Sequence, residues 1–359
     1  MNGKSHQKIA MLSYAIVSTI PAINSIPLFN NKYIHIPMGI SLIGLITAGI
    51  AGLIVDADSQ HSKISHMNPL TRTNNAILDH LESFLRFLLR LLLGLGFGAL
   101  ILWYSKAITT QLTRIKYIGE YAQIYTYLIA FFVIVFGITT EKGFKRLPII
   151  GLIYKRLASS LRKIADKLKR ITMFLTYAGS SLILAIYNYT NAQDINIYLI
   201  CILLICIAVF PHRSFLHSIE GVIIFTISAS YIFNKLAFGY LTGCFFIGYI
   251  SHIYWADIFT KEGVPILSTP RFIAAFFKKL GLKNNFIHLL EKIGDFKLKL
   301  PPHITTGSAL GNLFEVIYII ILFLILIIGF NVYGGQFKLT YFINDFALPT
   351  SPLRYLLQT

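Results

Sequence analysis

Histidine and aspartate residues recur in four short motifs that lie far apart in the chain, each beside or just ahead of an apolar stretch. Both residue types are common ligands of divalent metals. The candidate ligands are four histidines and three aspartates: His6, Asp56, Asp58, His212, His217, His252 and Asp257. Mixed imidazole and carboxylate ligation suits zinc, manganese or iron better than calcium or a thiolate site. The sequence therefore predicts a divalent metal site, with zinc placed before manganese or iron.

The first pair, Asp56 and Asp58, follows the nearly continuous apolar run 45–55. If that run is a helix, the two acids lie at its C-terminal end, where the macrodipole disfavours carboxylates. A cation or a metal nearby would compensate for this. A solvated helix end is the alternative interpretation of so short a motif.

The second motif, His212-Arg213 followed by His217, comes directly after Pro211. Two histidines and an arginine at the end of a membrane span suit two metal ligands and a clamp for an anion. The alternative is interfacial histidines beside an arginine that the positive-inside rule retains.

The third motif is His252 and Asp257, five residues apart at the end of another apolar run. On a regular helix this spacing separates the side chains by about 140°. The two converge only if a π-bulge or the helix end intervenes. A satisfied histidine with a capping aspartate is the alternative. His6 is the fourth motif. A lone histidine near a terminus is a candidate ligand only because the other three motifs are present.

Seven candidates exceed what one tetrahedral ion needs, so the prediction is one or two ions. Two adjacent metals stabilise both the attacking and the leaving oxygen in phosphoryl displacement. A bound metal also lowers the pKa of water to about 7, which supplies hydroxide without a separate base. Arg213 is then expected to bind an anionic substrate oxygen.

The elements that must position these motifs are membrane helices. Of the 359 residues, 55% are hydrophobic and 13% are charged, whereas about 25% are charged in soluble domains. Apolar runs of about 20 residues, the length that crosses a bilayer, predict an all-α integral membrane protein. We expect a polytopic helical bundle with about nine membrane-embedded helices. The predicted spans are 9–28, 34–55, 84–105, 121–140, 171–190, 195–211, 219–233, 236–256 and 312–330.

Lysine and arginine are unevenly distributed among the predicted loops. Segment 141–170 carries ten and segment 257–311 carries eight, whereas 191–196 carries none. The positive-inside rule places the two basic segments in the cytoplasm, and with nine spans the N-terminus and all four motifs share that face. This accounts for the net charge of +17 without a nucleic-acid partner. Within the first segment, about 155–170 is predicted to be a surface helix near anionic lipid headgroups.

The order of the motifs resembles the YdjM-type family of LexA-regulated, membrane-bound, metal-dependent hydrolases. The resemblance covers about 1–70 and 205–320. It implies a helical protein of the cytoplasmic (inner) membrane with hydrolase activity, and a distant similarity to zinc phospholipase C and P1-type nucleases adds phosphoester chemistry. The matching stretches are Gly3-Lys4-Ser5-His6, Asp56-Ala-Asp58 with Ser62, His212-Arg213-Ser-Phe-Leu-His217-Ser218, Gly248-Tyr249-Ile-Ser251-His252 continuing to Asp257, and a closing segment with Thr306-Gly307-Ser308 and Glu315.

Glu315 becomes a candidate site residue through this resemblance. It would act as a ligand or as a group that orients one. The alternative is a carboxylate that the dipole favours at the start of the last span.

The chain departs from the family pattern in three places. It has one residue more than the usual His-x-x-x-Asp between His252 and Asp257, it has Leu216 where threonine is usual, and residues 72–200 lie outside the compact pattern. The predicted division follows from this. It comprises 1–71 and 201–330 as the two parts of a hydrolase-like core, 72–200 as an inserted transmembrane region with a basic cytoplasmic loop, and 331–359 as a tail.

The predicted function is metal-dependent hydrolysis of a small-molecule or lipid phosphoester at the cytoplasmic membrane face. The seven histidines and aspartates would hold metal, and Arg213 and Glu315 would serve catalysis. Two alternatives stay open. A transporter or channel for a cation or metal should have polar residues through the bilayer midplane. A catalytically inactive scaffold would agree with the altered spacing of His252 and Asp257.

Overall fold

The computed structural model describes residues 3–31, 34–59, 62, 69–115, 117–282, 284–305 and 307–333, and this part of the chain is mostly helical. The chain divides into two compact units, Met1–Asn68 with Phe174–Thr359 and Pro69–Met173. The unit boundaries fall near residues 68 and 173, whereas the sequence division used 71 and 200. All of the candidate site residues belong to the first unit. The predicted tail lies outside the described residues from 334 onward, as does Thr306 of the closing segment.

The all-α prediction is confirmed. Short 3₁₀ turns lie at Gly119–Tyr121, Phe215–His217 and Asp257–Phe259, and π-helical segments lie at Asn188–Ala192 and Ser251–Ala256. Strands β1 (Val264–Pro265) and β2 (Lys297–Leu298) form one antiparallel pair. The α-helices of the described residues are α1 (Gly3–Thr19), α2 (Pro21–Asn24), α3 (Leu42–Ile54), α4 (Pro69–Trp103), α5 (Ser105–Leu112), α6 (Ala122–Thr139), α7 (Glu141–Phe144), α8 (Ile150–Tyr187), α9 (Ile195–Val209), α10 (Ile219–Lys235), α11 (Leu241–Ile250), α12 (Thr269–Lys279), α13 (Asn285–Asp295) and α14 (Ala309–Tyr333).

Local sequence signals set the helix ends near the motifs. Ser41, Asp194 and Ser218 precede α3, α9 and α10, and each side chain accepts a hydrogen bond from a backbone N–H of the first turn. Helix α1 ends just before Pro21, and α9 ends just before Pro211, because proline disfavours helical backbone at the preceding residue. The motif residues therefore occupy helix ends and the turns between helices.

Small residues allow α1, α3 and α11 to pack closely. A Cβ atom added to Gly52 would lie 2.7 Å from the Cβ of Ala10, and one added to Gly248 would lie 2.2 Å from the carbonyl oxygen of Ala48. Since the interior is close-packed, larger side chains would force these helices apart. The glycines thus fix the spacing of the three helices whose ends carry motif residues.

Gly248→Ala is expected to destabilise the first unit, because the added methyl group overlaps a backbone oxygen that cannot rotate away. Overpacking costs about 1–3 kcal/mol, so the midpoint of thermal unfolding in detergent should fall by several degrees. Gly179→Ala is the matched control, since a Cβ there meets nothing within 4 Å. An unchanged midpoint in Gly248→Ala would contradict the packing of α3 against α11.

In the second unit, α4 packs against α6. A Cβ added to Gly94 would lie 2.8 Å from the Cα of Gly137. Arg90 is buried, and its Nε donates to the carbonyl oxygen of Gly137 at 2.9 Å. The guanidinium thereby satisfies a carbonyl group in the last turn of α6, where the helix dipole favours a cation.

Within the described residues, four helices are long and apolar enough to cross a membrane by length and composition. They correspond to the third, fourth, fifth and ninth predicted spans. The other five predicted spans coincide with shorter helices, so the count of about nine is not confirmed. The second predicted span, for example, is helical only over Leu42–Ile54, because Pro37 and the positive-φ Gly39 precede it. The four candidate spans are Pro69–Trp103, Gly119–Thr139, Ile150–Ala192 and Ala309–Tyr333.

The structure corrects the predicted basic loop 141–170. Helix α8 begins at Ile150 and runs without a break through the predicted surface helix into the predicted fifth span. No proline occurs between residues 150 and 187, so the sequence contains no strong signal that would end the helix at residue 170. The basic stretch and the apolar stretch are one helix, and the cytoplasmic placement of the basic stretch stays a prediction.

Candidate metal centre

The π-helical segment Ser251–Ala256 brings His252 and Asp257 together. The backbone N–H of Asp257 donates to the carbonyl oxygen of His252, five residues earlier, which is the hydrogen bond of a π-turn. As a result, Nε2 of His252 lies 3.4 Å from Oδ2 of Asp257. The extra residue that separates this chain from the usual His-x-x-x-Asp pattern is absorbed in the wider turn.

Helix α1 brings His6 to the same place. The His6 ring stacks on the His252 ring with a centroid distance of 3.7 Å and an interplanar angle of 14°. Its Nε2 lies 3.6 Å from Oδ1 of Asp257. His6 is therefore not an isolated terminal histidine but a buried member of the cluster.

The turn after α3 carries Asp56 and Asp58, and the two carboxylates differ in role. Oδ1 of Asp56 lies 3.4 Å from Nε2 of His217 and 3.6 Å from Nε2 of His252. Oδ1 of Asp58 instead pairs with Nδ1 of His212 at 2.8 Å. Asp56 thus faces the centre of the cluster, whereas Asp58 orients one of its histidines.

The turn between α9 and α10 carries His212 and His217. The hydroxyl of Tyr249 donates to the carbonyl oxygen of Leu216 at 2.8 Å and so anchors this turn to α11. Nε2 of His217 lies 3.4 Å from Oδ2 of Asp257. His212 is consequently next to an aspartate of the first motif, and His217 is next to aspartates of the first and third motifs.

The geometry of the cluster fits ligands that share a metal. Zinc–nitrogen and zinc–oxygen distances near 2.1 Å in a tetrahedron place two ligand atoms about 3.4 Å apart. The separations of 3.4 to 3.6 Å between the imidazole and carboxylate atoms match that value. Within the described residues, three overlapping groups have ligand atoms within 4.8 Å of one another: His6 with Asp56 and His252, Asp56 with His212 and His217, and His217 with His252 and Asp257.

Several buried polar atoms of the cluster have no hydrogen-bond partner among the described residues. They are Nδ1 of His6, both ring nitrogens of His217, Nε2 of His252, Oδ2 of Asp58 and Oδ1 of Asp257. A buried polar atom without a partner is costly, and a metal ion would satisfy several of these atoms at once. The donor set therefore fits one or two divalent ions.

The electrostatics of the cluster favour a positive charge at its centre. Burial and the neighbouring His252 lower the pKa of His6 to about 3, so its imidazole is neutral and able to bind metal. Burial alone would lower the pKa of His217, but the Asp257 and Asp56 carboxylates outweigh it and raise the pKa to about 10. Without a metal the His217 imidazole therefore carries a proton, and a bound metal ion would replace this proton as the positive charge between the carboxylates. Burial alone would raise the pKa of Asp257, but hydrogen bonds with His217 and His252 hold it well below its usual range. The carboxylates are charged and attract a cation.

The cluster is accessible from one side. The His6, His217, His252 and Asp257 side chains are at most 3% exposed, whereas the Asp56 side chain is 17% exposed and that of His212 is 37% exposed. Water or a substrate therefore reaches the centre past Asp56 and His212.

Arg213, predicted to clamp an anion, pairs with another residue. Its Nη1 donates to Oε2 of Glu262 at 2.9 Å, and Glu262 is largely exposed. Arg213 also has a φ of 59°, in the left-handed region, which places it at a tight turn between the two histidines of its motif. To bind a substrate anion, the Arg213 guanidinium would release the Glu262 carboxylate and donate to the anion instead.

Glu315 lies in the first turns of α14 and is buried. Its carboxylate accepts a hydrogen bond of 2.6 Å from the hydroxyl of Ser5. Because Ser5 is next to His6, this bond ties α14 to the turn that presents His6. The structure thus gives Glu315 a positioning contact beside the cluster.

Ser5→Ala is expected to weaken both the fold and metal binding. A hydrogen bond to a charged group contributes about 1.5–3 kcal/mol, and changes in groups that support ligands typically lower metal affinity about 10–100-fold. Thermal unfolding and a metal titration would measure both effects. Ser5→Thr, which keeps the hydroxyl, is the matched control. Wild-type affinity in Ser5→Ala would show that Glu315 does not position His6.

The sequence interpretation missed three supporting contacts. The carbonyl oxygen of Gly52 accepts from Nδ1 of His252 at 2.5 Å, which fixes the tautomer that leaves Nε2 free. The hydroxyl of Tyr249 and the carboxylate of Glu262 are the others. A backbone carbonyl group has no signal in the sequence.

The model of the YdjM inner membrane protein family matches residues 150–337, just over half of the 359-residue chain. The chain belongs to this family. It is accordingly a membrane protein, as the apolar candidate spans also indicate. Comparisons with curated proteins and with solved structures found no match.

The YdjM family match contains only part of the cluster. His212, His217, His252, Asp257 and Glu315 lie inside residues 150–337, whereas His6, Asp56 and Asp58 lie outside them. The match also begins earlier than the 205–320 stretch that the motifs predicted. The likeness to zinc phospholipase C and P1-type nucleases received no support and stays an expectation.

Proposed function

We propose that this YdjM family protein is a metal-dependent hydrolase that cleaves a phosphoester at the membrane surface. The observation that carries the proposal is the convergence of four histidines and three aspartates from distant parts of the chain. Their buried ring nitrogens and carboxylate oxygens include several without a partner among the described residues. A fold stabilised without an ion would leave that cost uncompensated.

The overlapping groups point to two ions. A neutral imidazole nitrogen binds one metal, whereas a carboxylate has two oxygens and can bridge two. We therefore assign the aspartates as the ligands that the two ions share. His6 and His252 would hold one ion, His212 and His217 would hold the other, and Asp56 would bridge them. Asp257, within 3.6 Å of His6 and 3.4 Å of both His217 and His252, would be the second shared carboxylate.

The remaining residues support these ligands. Asp58 and the Gly52 carbonyl oxygen each hold Nδ1 of a histidine, and so leave Nε2 of His212 and of His252 for metal. Arg213, at the accessible side, would bind a substrate oxygen in place of Glu262. Divalent metals bound there would lower the pKa of water and stabilise the charge on a phosphoryl group.

The position of the cluster favours a surface reaction over transport. His6, Asp56, His212, His217 and His252 all lie outside the four candidate spans. A permeation path would be expected to place its polar residues within the spans. The altered spacing of His252 and Asp257 no longer supports an inactive scaffold, because the π-turn brings the two side chains together. We place the reaction at the cytoplasmic face, following the distribution of lysine and arginine.

Phosphoester hydrolysis by detergent-purified protein tests the proposal. We expect turnover of a soluble ester such as 4-nitrophenyl phosphate, its loss after chelation, and its return with zinc or manganese. Asp58→Asn should keep most of the shape of the site but lower turnover about 10–100-fold. Turnover that is insensitive to chelation, or unchanged in Asp58→Asn, would refute the proposed reaction.

A further inference from the structure

An apolar cavity adjoins the candidate metal centre. It has a volume of about 530 Å³ and lies between α3, α8, α9, α10 and α11, a size within the usual range of about 300–1,000 Å³ for ligand sites. Ala57, whose neighbours in the chain are the cluster residues Asp56 and Asp58, lines one part of it. The cavity therefore reaches the turn that carries the accessible carboxylate.

The lining residues follow a helical pattern. Leu203 and Ile207 on α9, and Phe225 and Ala229 on α10, are each four residues apart, so each pair lies on one helix face. The cavity then extends along α10 from Phe225 to Phe233, about 12 Å at 1.5 Å per residue. Helix α9 ends just before His212 and α10 begins just after His217, so the cavity runs along both helices away from the cluster.

The surroundings of the cavity are those of a lipid-facing site. Tyr177, another lining residue, belongs to the candidate span Ile150–Ala192, and α9 is one of the shorter apolar helices. Apart from the Tyr177 hydroxyl, the lining side chains carry no polar group. A hydrocarbon chain is the ligand chemistry that fits such walls.

We propose that the substrate of this site is the phosphate ester of a single long hydrocarbon chain, whose tail lies in this cavity while its phosphate meets the cluster at Asp56 and His212. The inference rests on the proposed hydrolysis. Water adds to phosphorus, the ester P–O bond breaks, and the leaving oxygen takes a proton, so the products are the lipid alcohol and inorganic phosphate. Because lipid tails are as apolar as leucine, the cavity contributes orientation of the ester more than affinity.

The variant that tests the cavity is Ala229→Trp, which fills it from α10. Ser230→Trp is the matched control, because Ser230 is the next residue along the same helix and lines a different apolar cavity. Ala229→Leu fills the cavity less and serves if the tryptophan variant fails to fold.

The first measurement is photolabelling in phosphatidylcholine bilayers with hexadecyl phosphate that carries a diazirine at the tail end. We expect adducts on Ile232 or Phe233, at the end of the cavity away from the cluster, in wild type and in Ser230→Trp, and about tenfold fewer in the Ala229 variants. Adducts scattered over the lipid-facing helices, or undiminished in both Ala229 variants, would overturn the inference. Wild-type labelling needs neither metal nor turnover.

The second measurement separates this inference from the proposed function. Ala229→Trp should slow hydrolysis of hexadecyl phosphate about tenfold or more, and leave 4-nitrophenyl phosphate hydrolysis within about twofold of wild type. Equal slowing of both esters, or of neither, would refute the tail site and leave the hydrolase intact. Cavity labelling without hydrolysis of either ester would refute the hydrolase and leave the cavity as a lipid site.

Discussion

Asp56→Ala is expected to remove both metal ions and to abolish phosphoester hydrolysis. Asp56 belongs to two of the three candidate ligand groups, and its Oδ1 lies within 3.6 Å of histidines assigned to different ions. Loss of this one carboxylate therefore weakens both sites. The fall in turnover should exceed about 100-fold, the upper range for residues that only support a ligand.

Glu262→Ala is the matched control for Asp56→Ala. Glu262 is also an acid near the site, but it is exposed and pairs with Arg213. Its loss should leave metal content unchanged. Elemental analysis and turnover would be measured on both variants, with circular dichroism to establish that each is folded. Full metal content in a folded Asp56→Ala protein would exclude a bridging role for Asp56.

Insertion of one residue between His252 and Asp257 is expected to abolish metal binding, whereas deletion of one residue is expected to preserve it. Deletion of Tyr254 gives the four-residue spacing that puts both side chains on one face of an α-helix. We therefore expect a deletion variant that keeps its metal and loses at most about tenfold in turnover. Insertion of one alanine after Ile253 gives a spacing that neither an α-turn nor the present π-turn accommodates, so metal should be lost and turnover should fall by more than about 100-fold.

Metal content and turnover of the two length variants would be measured beside wild type. Thermal unfolding of each variant would distinguish a displaced ligand from a disrupted helix. Full metal content in the insertion variant would show that Asp257 is not a ligand. Loss of metal in a stable deletion variant would show that metal binding requires the π-turn even at the four-residue spacing. It would contradict the interpretation that the π-turn only compensates for the extra residue.

Much of the candidate site follows from residue types and their order. The sequence alone pointed to seven histidines and aspartates, and the structure places six of them in overlapping ligand groups with Asp58 paired to His212. The need for either a π-bulge or a helix end between His252 and Asp257 also follows from the spacing, because residues five apart diverge on an α-helix. The roles of these residues as metal ligands stay predictions.

The contacts that depend on tertiary packing could not be predicted in this way. The hydrogen bond from Ser5 to Glu315 joins residues near opposite ends of the described chain. The acceptor for His252 is the backbone carbonyl of Gly52, a group that every residue has. The sequence does not indicate which of these groups are paired, since each pairing depends on how α1, α3, α11 and α14 pack.

Helix boundaries were the least predictable part of the fold. Charge composition separated 141–170 from 171–190, yet α8 continues from Ile150 to Tyr187 because helix formation depends on backbone propensity and not on polarity. Conversely, apolar composition extended the second predicted span back to residue 34, where Pro37 and Gly39 exclude a helix. Hydrophobicity located the apolar helices but not their lengths, and it did not indicate the amphipathic helices Thr269–Lys279 and Asn285–Asp295.

The metal content of the purified wild-type protein shows directly whether the cluster of histidines and aspartates holds metal. Elemental analysis after reconstitution with zinc or manganese, beside His217→Ala, would give the number of ions per chain. We expect about two ions in wild type, as in other two-metal sites, and a clear loss in His217→Ala. No bound metal in folded wild-type protein would contradict this expectation, and the cluster would then be a buried network of histidines and aspartates without an ion.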